Sequence, residues 1–169
     1  DRSGSPCKTI YGPLSKLISV EDKYVTAIET AFGQSLQHIV VEDESTAKAA
    51  MYCLKRAEAG RTTFLPVTSM TAQTVTKEME EAVNYRGYIS VAAELVESDP
   101  KFKKIIGSLL GRTLVFDNIE NATEMSKILK YRVKVVTLDG QQINVGGSFT
   151  GGSVKSNNSG ILGRSGEIK

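Results

Sequence analysis

The sequence predicts an α/β protein made of two similar small subdomains, each a short sheet covered by helices. Three observations point there. Short apolar runs rich in Val, Ile, Thr and Phe alternate with segments of helical period. A weak internal duplication relates the first half of the chain to the second. A glycine-rich stretch, Thr137 to Ser153, follows an apolar β-branched run at the end of the second half.

The duplication sets the element order. Asp22–Gly33 resembles Pro100–Gly111: Tyr24 matches Phe102, Ile28 matches Ile106, Phe32 matches Leu110 and Gly33 matches Gly111. After a three-residue deletion in the second copy, Val40 matches Val115, Ala47 matches Ala122, and Leu54-Lys55 matches Leu129-Lys130. Each copy reads helix, strand, helix, strand. In the first helix, Tyr24, Ala27, Ile28, Ala31 and Phe32 form one apolar stripe, and Gly33 supplies the stop. Leu36–Val41, with His38, reads as a strand. Glu42, Asp43 and Glu44 then favour a helix N-terminus, and the helix runs over about Ser45–Ala59. Cys53 falls inside it and is expected to be a buried thiol. Thr62–Leu65 is the next strand.

Thr71–Arg86 is polar and predicted helical. It serves as the connector, with the boundary near Tyr85–Gly87. In the second copy Asp99 caps a helix, Pro100 fits its first turn, and Phe102, Ile105, Ile106, Leu109 and Leu110 repeat the stripe up to Gly111. A strand around Val115, a helix over about Ala122–Tyr131 and a strand over Val133–Leu138 complete it. Both stripes are core faces.

Composition excludes several classes. The length, 169 residues, fits one compact domain or two small subdomains, and the formal net charge is +2. No apolar stretch has the length of a membrane span and no signal peptide pattern opens the chain, so the cytoplasm is the expected compartment. Cys7 and Cys53 make neither a disulfide framework nor a CxxC pair. His38 is the single histidine, and a strand histidine is a poor candidate for nucleophilic or zinc chemistry. Glu78, Glu80 and Glu81 read as a solvated face. No pair of carboxylates demands acid–base work, and the expectation is that the domain is not an enzyme.

Five glycines remain to be explained: Gly140, Gly146, Gly147, Gly151 and Gly152. Glycine on a strand-like segment is tolerated where the backbone bulges or where another chain or a ligand comes close. A phosphate loop needs G-x-x-x-x-G-K-[ST] and a dinucleotide site needs G-x-G-x-x-G; neither is present. Gly147–Gly151 carries Phe149 where a nucleophile elbow needs serine. The remaining readings are close contact with a second chain or with a ligand, the latter including a glycine-loop enzyme on small phosphorylated substrates, and a loop without a partner. Charge adds one more feature. From Lys101 to Lys134 there are eight basic residues against three acidic ones. Lys130, Arg132 and Lys134 alternate with apolar positions, so a strand there presents a basic stripe; Lys155 and Arg164 follow the glycines. The alternative is a solvated face.

The segment Val136–Gly152 resembles the glycine region of the hinge domain of SMC (structural maintenance of chromosomes) proteins. So do Tyr11–Leu14, Ala27–Gly33, Leu36–Val41, Gly60–Pro66, Ala92–Val96 and Leu109–Gly111, in that order, with a bacterial flavour. Leu162–Arg164 and Glu167 are similar to the family's exit into its returning coiled-coil arm. The resemblance implies residues 10–86 as subdomain I with connector, 87–160 as subdomain II and 161–169 as the start of the coiled coil. Residues 1–9 lack a heptad pattern and read as a linker or truncation remnant.

The resemblance also implies a job. Hinges of this family have two pseudo-twofold α/β subdomains and join through sheet edges into a ring-like homodimer, with the glycine region at the contacts. The expected function is joining two coiled-coil arms in chromosome condensation and segregation, in the nucleoid-associated cytoplasm. Weak non-specific DNA binding is expected through Lys130, Arg132, Lys134, Lys155 and Arg164. No cofactor, metal, membrane or small-molecule substrate is expected; ATP belongs to distant head domains. The alternative is a nucleic-acid-binding domain whose dimerisation is secondary.

Overall fold

Each copy of the duplication opens with two strands and a 3-10 turn that the helix–strand–helix–strand pattern does not contain. The computed structural model describes residues 10–153. In the first copy, β1 (Ile10–Pro13), a 3-10 turn at Leu14–Lys16 and β2 (Ile18–Val20) precede α1 (Val25–Phe32). Then come β3 (Ile39–Val41), α2 (Glu44–Ala57) and β4 (Phe64–Pro66). A short helix, α3 (Lys77–Ala82), connects the copies. The second copy repeats the series: β5 (Tyr88–Val91), a 3-10 turn at Ala92–Leu95, β6 (Val96–Ser98), α4 (Lys103–Leu110), β7 (Thr113–Phe116), α5 (Ile119–Ile128) and β8 (Lys134–Thr137). Two further strands, β9 (Gln142–Ile143) and β10 (Phe149–Thr150), have no counterpart in the first copy.

Local chemistry explains the matching helix starts. Asp43 accepts the amide of Thr46 at 2.9 Å, and Asn118 accepts that of Asn121 at 2.8 Å. The two caps occupy equivalent positions of the repeat. The amide of Thr46, and then its hydroxyl, hold the Asp43 carboxyl below the usual carboxylate range. Gly33 ends α1 with φ of 58°. Gly111 ends α4 for another reason: its φ is −65°, and a Cβ there would lie 2.3 Å from the Gly107 carbonyl oxygen.

The sheets follow the same repeat. β1 pairs antiparallel with β3, which runs parallel to β4; β5, β7 and β8 do the same, and both first pairs carry a register irregularity. Beyond β8 the second sheet continues through β9 to β10. β2 and β6 pair with each other, with Ser19 opposite Glu97. The pairing couples one half to the other.

The core does not respect the halves. Ala27, Ile28 and Phe32 of α1 share one cluster with Ile105, Ile106 and Leu110 of α4, together with Val40 and Leu65 of the first sheet and Val115 and Val136 of the second. A second cluster lies on the opposite face of β7 and β8, where Leu114, Phe116 and Val135 meet Ala122, Met125 and Leu129 of α5 and Met79 and Ala82 of α3. Alternation along the two strands sends their side chains into both clusters, so the strands are buried on both faces.

Four expectations are corrected. The strand predicted over Leu36–Val41 begins at Ile39, because Gly33–Gln37 forms a 3-10 turn. Of Thr71–Arg86 only Lys77–Ala82 is α-helical. Residues 71–76 run across α4 instead: Gln73 donates its amide to the Gly107 carbonyl at 3.2 Å, and Arg112 Nε donates to the Thr74 carbonyl at 2.9 Å. Ala72 lies so close to Gly107 that a Cβ there would be 2.6 Å away. Cys53 is exposed, not buried, because α2 buries only Thr46, Ala47 and Ala50. The fourth correction concerns the basic stripe and belongs to the site below.

Replacing Ile28 or Ile106, both in the shared cluster, by alanine is expected to destabilise the protein by about 2–5 kcal/mol each. Urea unfolding measures this. Near-neutral effects at both positions would mean that the α1 and α4 faces are not core.

Candidate functional site

Thr137 to Ser153 folds as two successive hairpins at the end of the second sheet. In the first, between β8 and β9, the Thr137 amide donates to the Gln141 carbonyl and the Gly140 amide to the Thr137 carbonyl, both at 2.9 Å. Gly140 is buried there with φ of 89°. In the second, between β9 and β10, Asn144 organises the loop. Its amide donates to the Ser148 carbonyl at 2.8 Å, and its side-chain Nδ2 reaches Ser148 Oγ at 3.0 Å and Thr150 Oγ1 at 3.2 Å. Gln142 Nε2 donates to Asn144 Oδ1 at 2.6 Å.

The chain beyond β10 is held by a side chain. Gln141 Nε2 donates to the Gly152 carbonyl at 3.1 Å, and the Gly152 amide donates to Gln141 Oε1 at 3.0 Å. The carboxamide thus pairs with a backbone unit as a neighbouring strand would.

The glycines have distinct reasons. Gly140, Gly146, Gly147 and Gly152 have φ of 89°, 98°, 106° and 128°, a region that side chains rarely adopt. Around Gly146 and Gly152 the space is open. At Gly147 a Cβ would sit 3.6 Å from the Tyr131 ring. Gly151 has no positive φ; a Cβ there would fall 1.9 Å from Gln141 Oε1 and displace the amide that holds Gly152. Turn geometry inside the chain therefore accounts for most of these glycines before any partner is considered.

What the hairpins build is an edge. Among the described residues β10 ends the sheet order β10-β9-β8-β7-β5 with an unpaired outer side. Phe149 is 52% and Val145 63% exposed. The other edge that matters is β4, which among the described residues pairs with β3 alone. By the repeat, β4 corresponds to β8, and β8 carries β9 and β10 along its outer side. The helices differ in the same way. α5 packs against β9, whereas α2 beyond Ala50 is exposed except for half-buried Leu54. Met51 and Tyr52 are 55% and 62% exposed, with the Arg56 guanidinium 5.8 Å from the Tyr52 ring centroid.

The basic residues do not form a strand stripe. β8 starts only at Lys134. Lys130 and Tyr131 have φ of 59° and 58°, so the chain turns there instead of extending. Arg132 is paired with Glu78 at 3.5 Å. Lys127, Lys130 and Arg132 are nevertheless exposed around the end of α5. Lys155 and Arg164 lie outside the described residues. Among the described residues no group of His, Cys, Asp and Glu is placed to hold a metal ion, and no helix is long and apolar enough to cross a membrane. Sequence reasoning overlooked Gln141, Asn144 and Tyr131. Asn144 beside glycines is a turn signal; the other two have none, since their partners are set by tertiary contacts.

Comparison with known proteins places this geometry. The model of the SMC proteins flexible hinge domain matches residues 7–126. The chromosome partition protein Smc of Bacillus subtilis (strain 168) is 43% identical over 161 residues, 95% of this chain and 14% of that protein. That of Desulfitobacterium hafniense (strain Y51) is 41% identical over 163 residues, 96% of this chain and 14% of that protein. The chain thus spans about one-seventh of the length of these curated relatives. Among solved structures, an asymmetric dimer of the Geobacillus stearothermophilus SMC hinge domain superposes with a TM-score of 0.85 at 39% identity, covering 95% of this chain and 64% of that one. The Pyrococcus furiosus SMC protein hinge domain gives 0.71 at 32% identity, covering 86% and 73%.

The Gln141 clasp makes its own prediction. Gln141→Ala removes both hydrogen bonds to Gly152, and with about 1 kcal/mol per bond the Gly152 amide should exchange with solvent at least about fivefold faster. Core amides of β7 and β8 should be unaffected. Equal exchange at Gly152 in both proteins would show that the clasp does not hold the segment in solution.

Proposed function

The chain belongs to the SMC hinge family, and from that premise we propose that it is a homodimerisation module joining two SMC coiled-coil arms in chromosome condensation and segregation. One observation carries this reading: the two halves are similar, but only the second has its outer edge covered. β8 has β9 and β10 beside it, and its counterpart β4 has no outer neighbour among the described residues. A second copy can supply what the first half lacks. Its β10 edge meets β4, and its exposed Phe149 and Val145 meet Met51 and Tyr52 of α2. Because each copy owns one β10 and one β4, the contact occurs twice under twofold symmetry and closes on itself. Strand addition at an open edge satisfies backbone groups on both sides. Gly146, Gly147, Gly151 and Gly152 let the partner backbone approach, and Gly140 turns the chain toward that edge. The role is assembly, with no catalytic step and no cofactor in this domain, in the nucleoid-associated cytoplasm.

Weak DNA contact accompanies dimerisation in this proposal. Exposed Lys127, Lys130 and Arg132 supply charge around the end of α5, and Lys155 and Arg164 follow the glycines in sequence. Glu78 offsets part of the Arg132 charge, so affinity should be modest, insensitive to base sequence and steeply reduced by salt. Two such surfaces on one particle raise avidity where both reach one strand.

Sedimentation over a concentration series tests the dimer. The wild type should associate, and valine at both Gly151 and Gly152 should give folded monomer. Met51→Asp with Tyr52→Asp should weaken association at least tenfold while changing monomer stability little, because both side chains are exposed. A wild type monomeric at high concentration, or all variants dimeric, would sink the reading. For DNA, charge reversal at Arg132 with Lys134, and separately at Lys155 with Arg164, should each lower affinity at low salt with the dimer intact. Unchanged binding in both double variants would remove DNA from the proposal.

A further inference from the structure

Lys130 and Tyr131, directly after α5, both occupy the left-handed region, with φ of 59° and 58°. Glycine, asparagine and aspartate visit it readily; a lysine and a tyrosine in tandem do not. Such strain persists where surrounding contacts over-determine it. Here the contacts are specific. The Tyr131 amide donates to the Ser126 carbonyl at 2.8 Å, closing the helix end. The Tyr131 carbonyl accepts the amide of Gly146 at 2.9 Å. Its ring packs at the margin of the second core cluster and faces Gly147, where a Cβ would sit 3.6 Å from Cγ of the ring. One residue thus bonds to Gly146 and places its ring beside Gly147 in the loop that joins β9 to β10.

We infer that Tyr131 is a positioning residue that pre-sets the β10 edge for a second copy of this chain. The inference rests on the dimer reading above. β10 is two residues long and pairs only with β9, Phe149 opposite Ile143 and Thr150 opposite Gln142. The loop before it contains two glycines at positive φ, which have no side chains to restrict it. Left alone, such a loop samples many conformations, and ordering it falls on the association step. The Tyr131 carbonyl and ring supply that order beforehand. The left-handed turn aims both at the loop, which gives the strained conformation a purpose.

The test compares three variants by sedimentation and amide exchange. Tyr131→Gly keeps the backbone conformation and removes the ring; Tyr131→Phe keeps the ring; Lys130→Gly relieves the neighbouring strain without touching the loop. Tyr131→Gly should raise the dimer dissociation constant at least tenfold and speed exchange at the Phe149 and Thr150 amides, while circular dichroism stays native. Tyr131→Phe and Lys130→Gly should stay within about twofold of wild type. If Tyr131→Gly does not fold, Tyr131→Asn, which also tolerates the left-handed region, replaces it. A dimeric wild type with a Tyr131→Gly or Tyr131→Asn variant equally dimeric overturns the inference alone, as does a Tyr131→Phe variant that fails as badly. A wild type that stays monomeric removes the dimer reading and this inference with it.

Discussion

The fold depends on one shared core at the pseudo-twofold. α1 belongs to the first copy of the repeat but packs against α4 and against β8 of the second. β2 and β6 pair across the same junction. One of the two core clusters belongs to both halves: Ile28 and Ile106, the central residues of the two stripes, lie in it together with strands from both sheets. Sharing helices across the junction couples the two halves. Tyr11 of β1 adds to the coupling. Its ring meets that of Phe102 edge-on at 5.2 Å, and Lys101 Nζ lies 4.9 Å from its centroid.

A twofold-like core leaves the outer edges free to differ, and they do. The second half continues past β8 into two hairpins, of which β9 packs against α5; the first half has no such extension after β4. The difference converts near-symmetry into complementarity, since one half carries a projecting edge and the other an open one. Such a molecule is poised for an isologous contact, in which each copy donates and receives. Four of the seven large exposed hydrophobics among the described residues lie at the elements involved, Met51 and Tyr52 on α2 and Val145 and Phe149 beside and on β10, whereas Val75, Val83 and Ile128 lie elsewhere.

The glycine stretch has two layers of cause. Backbone dihedrals alone demand glycine at four of the five positions, and the Gln141 carboxamide accounts for the crowding at Gly151. Turn geometry has thus already stripped this surface of side chains. For this reason loss of dimer after a glycine substitution has two possible origins, a clash with the partner or a loop in the wrong shape. Tyr131 separates them, because its ring acts on the loop from inside the chain.

By itself the sequence determined the α/β class, both apolar stripes, the helix caps and the duplication, because these rest on local periodicity and on side chains reaching their own backbone. It also exposed the glycine segment as the chain's distinctive feature, since turn geometry is a local demand. Other features were legible only in three dimensions. β1, β2, β5 and β6 are too short to show a period, and their pairing is non-local. Residues 71–76 are not helical because Gly107 of α4 and Arg112 just beyond it offer them hydrogen-bond partners far along the chain. Cys53 is exposed because none of the described residues covers the end of α2, although its place in a helical pattern resembles a core position. Lys130, Arg132 and Lys134 alternate like a strand, yet the left-handed pair at Lys130 and Tyr131 turns the chain there. Periodicity reports which residues could share a face; which face is covered, and by what, is decided by tertiary packing.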